Sequence, residues 1–408
     1  MSNRFGLIAC SLLLALTACG GGGGAGDGSS TAAPPVNGKG SGSSPVTPPP
    51  SNNIPSNKSM AGFAYVTHVS PMTVSAFRIN ATTGMLSEVA GSPFTADRNV
   101  LPGPDYVTAH PSGKFVYVVN TRNSSAGGLP PVPGVVAAFA VDAITGELSE
   151  VPGSPFTADF NPYCLKIDPS GRFAFVPNYR NVSVYAINAT TGALSEIAGS
   201  PFAAAEGWNL SMAIHPTGTF AYLAHYGSPG ITTYAINATT GALTSIGVVA
   251  VAPYAGTITV DPSGKFVYLT DSGASRNSGG VLTYRVNATT GALSEVAGSP
   301  FAAGRNPDSI AVDPSGKFAY VTGYLGLDRV VAAYTINAST GALSEIVGAL
   351  YYVPPGARSV TIDDSGRFVY VIHSGGIFGF TVDVATGRLS SPGNFATSDG
   401  SYITANRR

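Results

Sequence analysis

The sequence predicts an all-β chain folded as a ring of seven four-stranded antiparallel blades, a seven-bladed β-propeller, preceded by a signal peptide and a flexible linker. Three observations predict it. One strand–turn–strand motif recurs seven times, a second recurs six times, and the repeat region begins and ends on unmatched strands. A fixed period of roughly 50 residues marks a repeat architecture, in which one unit cannot bury its apolar face alone.

At the N-terminus Arg4 precedes an apolar stretch from Phe5 to Leu16, followed by small residues up to Cys19. This is the layout of a secretory signal, too short for a membrane-spanning helix. Leu16-Thr17-Ala18-Cys19 before Gly20 resembles the lipobox of bacterial lipoproteins. The resemblance implies cleavage after residue 18 and acylation of Cys19. Because Gly rather than Asp follows, it also implies sorting to the outer membrane, on its periplasmic side or at the cell surface. Each buried methylene of an acyl chain contributes about 0.8 kcal/mol, so several chains anchor stably where one does not. Residues 19–58 are nearly all Gly, Ser, Pro, Ala, Thr and Asn. Such a segment buries too little apolar surface to offset its ordering entropy. It predicts a linker with a root-mean-square reach of roughly 35 Å, and leaves 59–408 as the folded body.

Within the body, Ile-Asn-Ala-Thr-Thr-Gly-x-Leu-Ser-Glu recurs with small changes at 79–88, 141–150, 187–196, 236–245, 286–295, 336–345 and 382–391. A pattern like Val-Asp-Pro-Ser-Gly-Lys-Phe-x-Tyr-Val stands at 109–118, 167–176, 214–223, 260–269, 312–321 and 362–371. Each unit reads as four strands rich in Val, Ile, Tyr, Phe and Thr. In one of them strand A is 309–312, B is 318–322, C is 330–336 and D is 342–347. Asp313-Pro314-Ser315-Gly316 and Asn337 to Gly341 supply the turns between A and B and between C and D. Phe63-Ala64-Tyr65-Val66 is a B strand with no A before it, and 401–406 reads as an A strand with no B after it. The C-terminal strand is therefore expected to complete the first blade, which closes the ring and removes two free sheet edges.

Composition narrows the function. A net charge of -1 gives no long-range field, so nucleic acid is not an expected partner. After residue 18 no apolar run is long enough to span a bilayer, so the lipid anchor is the only expected membrane contact. Only Cys164 remains in the body, which excludes an internal disulfide and a cysteine zinc site; it reads as a small buried hydrophobe. No metal motif and no cofactor motif is present, and a monomer is expected.

Antiparallel order puts the A–B and C–D turns on one face and the B–C and D–A loops on the other. Turns repeated in nearly every blade are explained by folding, and His110 and His215 share that reading because they replace the turn Asp. Candidates for chemistry lie on the variable face, where a rigid scaffold presents loops. His68, His225, Asp271 and His373 end B strands, and Arg180 lies in a B–C loop. Asp105, Glu206, Trp208, Arg305, Asp308 and Arg358 lie in D–A loops. Together they predict a polar funnel for a small anionic or sugar-like ligand, with Asp105, Asp308 and Arg358 nearest the axis and Trp208 able to stack on a sugar ring.

The Tyr-Val-x-Asn-like B strands, the Asp-Pro-Ser-Gly turns and the Thr-Gly-x-Leu strands resemble the seven-bladed propeller lactonase family, including its 6-phosphogluconolactonase-like members. They also resemble the Tyr-Val-Thr-Asn repeat proteins of cell surfaces. The first resemblance implies a hydrolase that opens a small lactone. Water attacks the ring carbonyl, His225 or Glu206 serves as base, and Arg358, Arg305 or Arg180 stabilises the oxyanion. That family's Gly-Pro-Arg-His at a strand A entrance is Gly103-Pro104-Asp105-Tyr106 here, and only Arg358 keeps an arginine in that column. The second resemblance implies a protein that is not an enzyme, a non-catalytic propeller displayed at the cell surface that binds a glycan or a protein through the same loops. His68, Asp105, Trp208, Asp271, Asp308 and His373 are the ligand-binding candidates of those loops.

Overall fold

The computed structural model describes residues 60–68, 72–96, 104–121, 132–204, 208–227, 230–251, 254–273, 279–396, 400 and 402–407. Cys19, the signal peptide and the linker lie outside the described residues, as does Glu206. The described strands form seven antiparallel sheets, the blades of the predicted propeller. In blade six, strands Arg305–Val312, Phe318–Leu325, Asp328–Ile336 and Leu343–Tyr352 lie in the order A, B, C, D.

Local chemistry explains the repeated turns. Asp313 accepts hydrogen bonds from the backbone N–H groups of Ser315, Lys317 and Phe318 at 3.0, 2.8 and 2.7 Å, which turns strand A into strand B. Asn337 accepts from Ser339 and Thr340 at 2.9 and 3.0 Å and does the same between C and D. Gly341 ends that turn at φ 77°, and a Cβ there would stand 2.4 Å from the Phe266 ring of blade five. The same Gly–Phe contact recurs at every blade boundary, including Phe368 of blade seven against Gly84 of blade one. The repeated Thr-Gly therefore serves backbone geometry and blade packing at once. His110 and His215 act at this level too, bonding the Gly171 and Gly264 carbonyls of the next blade at 2.8 and 2.9 Å.

Four blades differ from the predicted single D strand. There D is split in two, as in Leu194–Glu196 and Phe202–Ala203, which both pair with strand C Asn181–Ile187. The interruption is Gly-Ser-Pro, with Gly199 at φ 83° and a cis Ser200–Pro201 bond. The Ser200 hydroxyl accepts from Val184 N–H at 2.9 Å and so restores the bond the split removes from strand C.

The ring closes as the repeats predict. Tyr402–Arg407 pairs antiparallel with Met60–His68, with Tyr65 opposite Thr404, and becomes strand A of blade one. Seven apolar clusters fill the blade boundaries, and that between blades seven and one includes Ile372, Phe77 and Ile403. Neighbouring A strands pack side by side around the centre. Hydroxyl groups stitch them together: Thr257 donates to the Asp308 carbonyl at 3.0 Å, and Ser309 accepts from Val360 N–H at 3.3 Å.

Candidate functional site

Aligned A strands place one residue of each blade in the same position toward the axis: Tyr402, Tyr106, Cys164, Ser211, Thr257, Ser309 and Ser359. Over blades five, six, seven and one these residues border an axial cavity of about 270 Å³. Its lining is Thr257, Asp308, Ser309, Arg329, Arg358, Ser359 and Tyr402.

Asp308 and Arg358 come from the entrances of two adjacent A strands, where the D–A loops deliver them. The Asp308 carboxylate pairs with the Arg329 guanidinium, which stacks on the Tyr324 ring with its centre 3.7 Å away. Burial pushes the Asp308 carboxyl above its ordinary value, while the hydrogen bond and charge of Arg329, and the charge of Arg358, pull it back. Ser359 is 5% exposed, and its hydroxyl has no hydrogen-bond partner among the described residues. The equivalent Ser309 and Ser211 hydroxyls each accept a backbone N–H from the next blade. Ser359 thus leaves a hydrogen-bonding group unused at the cavity wall.

Across the channel from this pair runs a chain of donors. The Lys166 ammonium donates to the Tyr106 hydroxyl, and Tyr106 donates to Tyr402 at 2.8 Å. An ammonium has no acceptor capacity, so the bonds polarise in one direction and leave the Tyr402 O–H to donate onward. Burial pushes both phenols up, so both stay protonated at neutral pH. Cys164, buried beside them, is likewise pushed up by burial and stays a thiol.

The remaining candidates are dispersed. His225 is fully buried between strands of blade four, bonded through Nε2 to Thr232 at 2.7 Å, and burial lowers its pKa to about 4. His68 makes the same contact with Ser75 at 2.9 Å, and His373 accepts from Gly375 N–H at 3.0 Å within its own hairpin. Asp271 caps Gly273 N–H at 3.0 Å. Arg305 borders a separate cavity with Asn306 and Tyr324, and Arg180 borders another in blade three. Asp105 and Trp208 lie in A strands, with side chains outside the described residues. Of the predicted candidates, the axial cavity brings together Asp308 and Arg358. It adds Arg329, Tyr402, Ser359 and, behind them, Lys166, which reading loop ends alone missed. For Tyr402 and Ser359 the available signal was the axial column, hydroxyl-bearing in every blade but the third, where Cys164 stands; Arg329 and Lys166 carry no such signal. Among the described residues no three His, Cys, Asp or Glu side chains converge as a metal site requires.

Comparison with known proteins supports the architecture. The structure resembles a candidate 6-phosphogluconolactonase of Bacteroides fragilis, with TM-score 0.69 and 22% identity over 86% of this chain and 99% of that one. A candidate 6-phosphogluconolactonase of Bacteroides uniformis gives TM-score 0.68 and 19% identity over 85% and 99%. The periplasmic gluconolactonase of Pseudomonas aeruginosa gives 0.68 and 18% over 85% and 99%. No protein of curated function matches the sequence. The family profile described as "Lactonase, 7-bladed beta-propeller" matches residues 63–200 and 212–402, most of the folded body, and the chain belongs to that family.

Proposed function

We propose that the axial cavity hydrolyses a small lactone of the sugar type, in a 6-phosphogluconolactonase-like reaction. The observation that carries this reading is the meeting of Asp308, Arg358 and Tyr402 at one cavity, with the unpartnered Ser359 hydroxyl between them in the ring. Asp308, raised by burial, takes a proton from water as the water oxygen bonds to the ring carbonyl carbon. Arg358 faces the oxygen that becomes negative, and the Ser359 hydroxyl is free to donate to it. When the C–O bond of the ring breaks, the departing oxygen takes the Tyr402 proton, and a hydroxy acid results. Tyr402 recovers its proton through Tyr106 from Lys166; Asp308 then releases to solvent the proton it took, and solvent returns one to Lys166, which restores the starting state. Arg329 holds the Asp308 carboxylate in place.

The test is proton release from a panel of five- and six-membered lactones, followed at constant pH with the full-length protein. Arg358→Ala is expected to lower kcat/KM by about a hundredfold, the loss typical of one oxyanion donor. Absence of turnover on every lactone, or unchanged turnover in both Arg358→Ala and Asp308→Asn, sinks the reading.

The Leu16–Cys19 pattern further supports a lipid-anchored location outside the cytoplasm, at the outer membrane. Incorporation of labelled palmitate that is lost in Cys19→Ser tests this; equal labelling of both chains refutes it.

A further inference from the structure

We propose that the loops of blade three form a second ligand site, apart from the axial cavity, which takes a neutral pyranose unit of a glycan. A cavity of about 460 Å³ opens there, within the roughly 300–1,000 Å³ of small-molecule sites. One wall is the D–A segment Asp159, Phe160, Asn161; the other is the B–C hairpin from Asn178 to Asn181.

The two walls are already locked together. The Asn181 side-chain amide donates to the Asp159 carboxylate at 2.5 Å, and the Asn178 side-chain amide donates to the Asn181 side-chain oxygen at 2.8 Å and to the Ser183 hydroxyl at 2.9 Å. Tyr179 N–H donates to the Phe160 carbonyl at 3.1 Å. A frame closed by its own bonds needs little ordering when a ligand arrives.

Asn161 and Asn306 are the two non-glycine residues with positive φ among the described residues, at 50° and 47°. Each precedes a proline whose ring fills the space beside a glycine of the preceding blade, Gly134 or Gly279, where a Cβ would stand 2.4 Å from the proline Cδ. Blades three and six therefore share one backbone device but carry different side chains on it. Where blade six has Arg305, blade three has Phe160, an aromatic ring left 40% exposed. The fold makes little use of that ring, and an exposed aromatic at a cavity edge is available to a ligand.

The chemistry of the lining selects the ligand. The Phe160 face suits the C–H face of a sugar ring. The Asn161 amide, with no hydrogen-bond partner among the described residues, offers a donor and an acceptor side by side, as two neighbouring hydroxyls require. Arg180, over the Tyr179 ring at 5.4 Å, adds further donors. Asp159 and Arg180 line the cavity with one charge of each sign, so the lining carries no net charge to favour an anion. An apolar ligand would strand the Asn161 amide. This site is independent of the lactone reading and stands or falls without it.

The experiment is titration calorimetry with saturation-transfer NMR on the full-length protein. The probes are glucose, galactose, mannose and N-acetylglucosamine, their β-linked disaccharides, and glucuronate. At least one neutral probe is expected to bind with Kd of about 1 mM or tighter. Phe160→Ala and Asn161→Ala are each expected to weaken it about tenfold, while Arg358→Ala leaves it unchanged. Phe160 is exposed and Asn161 half-buried, and a cooperative melting transition well above the assay temperature verifies that each variant folds. No saturable binding by any neutral probe overturns the proposal. So does binding that survives both blade-three variants or disappears in Arg358→Ala, and so does glucuronate binding more tightly than every neutral probe.

Discussion

Tyr106 and Tyr402, 296 residues apart in the chain, stack with ring centroids 3.8 Å apart and share a 2.8 Å hydroxyl hydrogen bond at the centre of the ring. Their contact exists only because the last strand returns to the first blade. A chain ending at residue 401 leaves Gly62 to Thr67 without the strand they pair with, and opens two sheet edges. Each lost net hydrogen bond costs about 1 kcal/mol, so the loss is expected to reach several kcal/mol. A truncated chain that melts cooperatively at the parental temperature would contradict ring closure as the source of stability.

The polarity imposed by Lys166 gives a second prediction. In Tyr402→Phe the donor facing the cavity is lost, while the ring stack is kept. Turnover of alkyl lactones is expected to fall about a hundredfold, within the usual range for a general acid. Hydrolysis of an aryl ester, whose leaving group needs no proton, is expected to fall far less. Equal losses on both substrates would remove Tyr402 from that role.

His225 provides a pH test of stability. Its pKa falls from 6.5 unfolded to about 4 folded because burial disfavours the charged ring. The unfolded chain therefore binds more protons between those values. The contribution is fully present above pH 6.5 and is lost as pH falls through 4, and at about 1.4 kcal/mol per pKa unit it amounts to roughly 3 kcal/mol. Asn120 and Asn178 hold the same place in blades two and three, so His225→Asn fits the site. Its melting temperature is expected to drop less than the parent's between about pH 7 and about pH 4.5. Parallel curves would show that His225 does not titrate in this window.

Two glycines separate backbone strain from packing. Gly341 and Gly326 both hold positive φ, 77° and 66°, but a Cβ at Gly326 meets nothing within 4 Å, whereas at Gly341 it overlaps Phe266. Gly326→Ala is expected to cost about 1 kcal/mol from strain alone, and Gly341→Ala about 3 kcal/mol or more once overlap is added. Urea denaturation of the two variants compares them directly. Equal costs would rule out the blade contact as the reason for the repeated glycine.

Much of this molecule could be read before folding. Asp313, Asn337 and Gly341 act within a few residues of themselves, so their turns, the blade count and the pairing of the C-terminal strand with the strand of Tyr65 follow from repeats and alternation, while the register of Tyr65 against Thr404 came from the structure. The site was less legible. His225 and His68 end their strands as candidates do, yet they turn inward to Thr232 and Ser75, and nothing in a single strand distinguishes those directions. Arg329 begins a C strand with no motif around it and reaches Asp308 only across the blade. Lys166, Tyr106 and Tyr402 come from three different blades.

Local hydrogen bonding and a period of two along each strand were enough for the sequence alone to determine the blades and their closure. Which side chains share a cavity was decided by the tertiary structure, because strands distant in the chain converge on one axis. Their partners there depend on distances of a few ångströms that no linear spacing encodes.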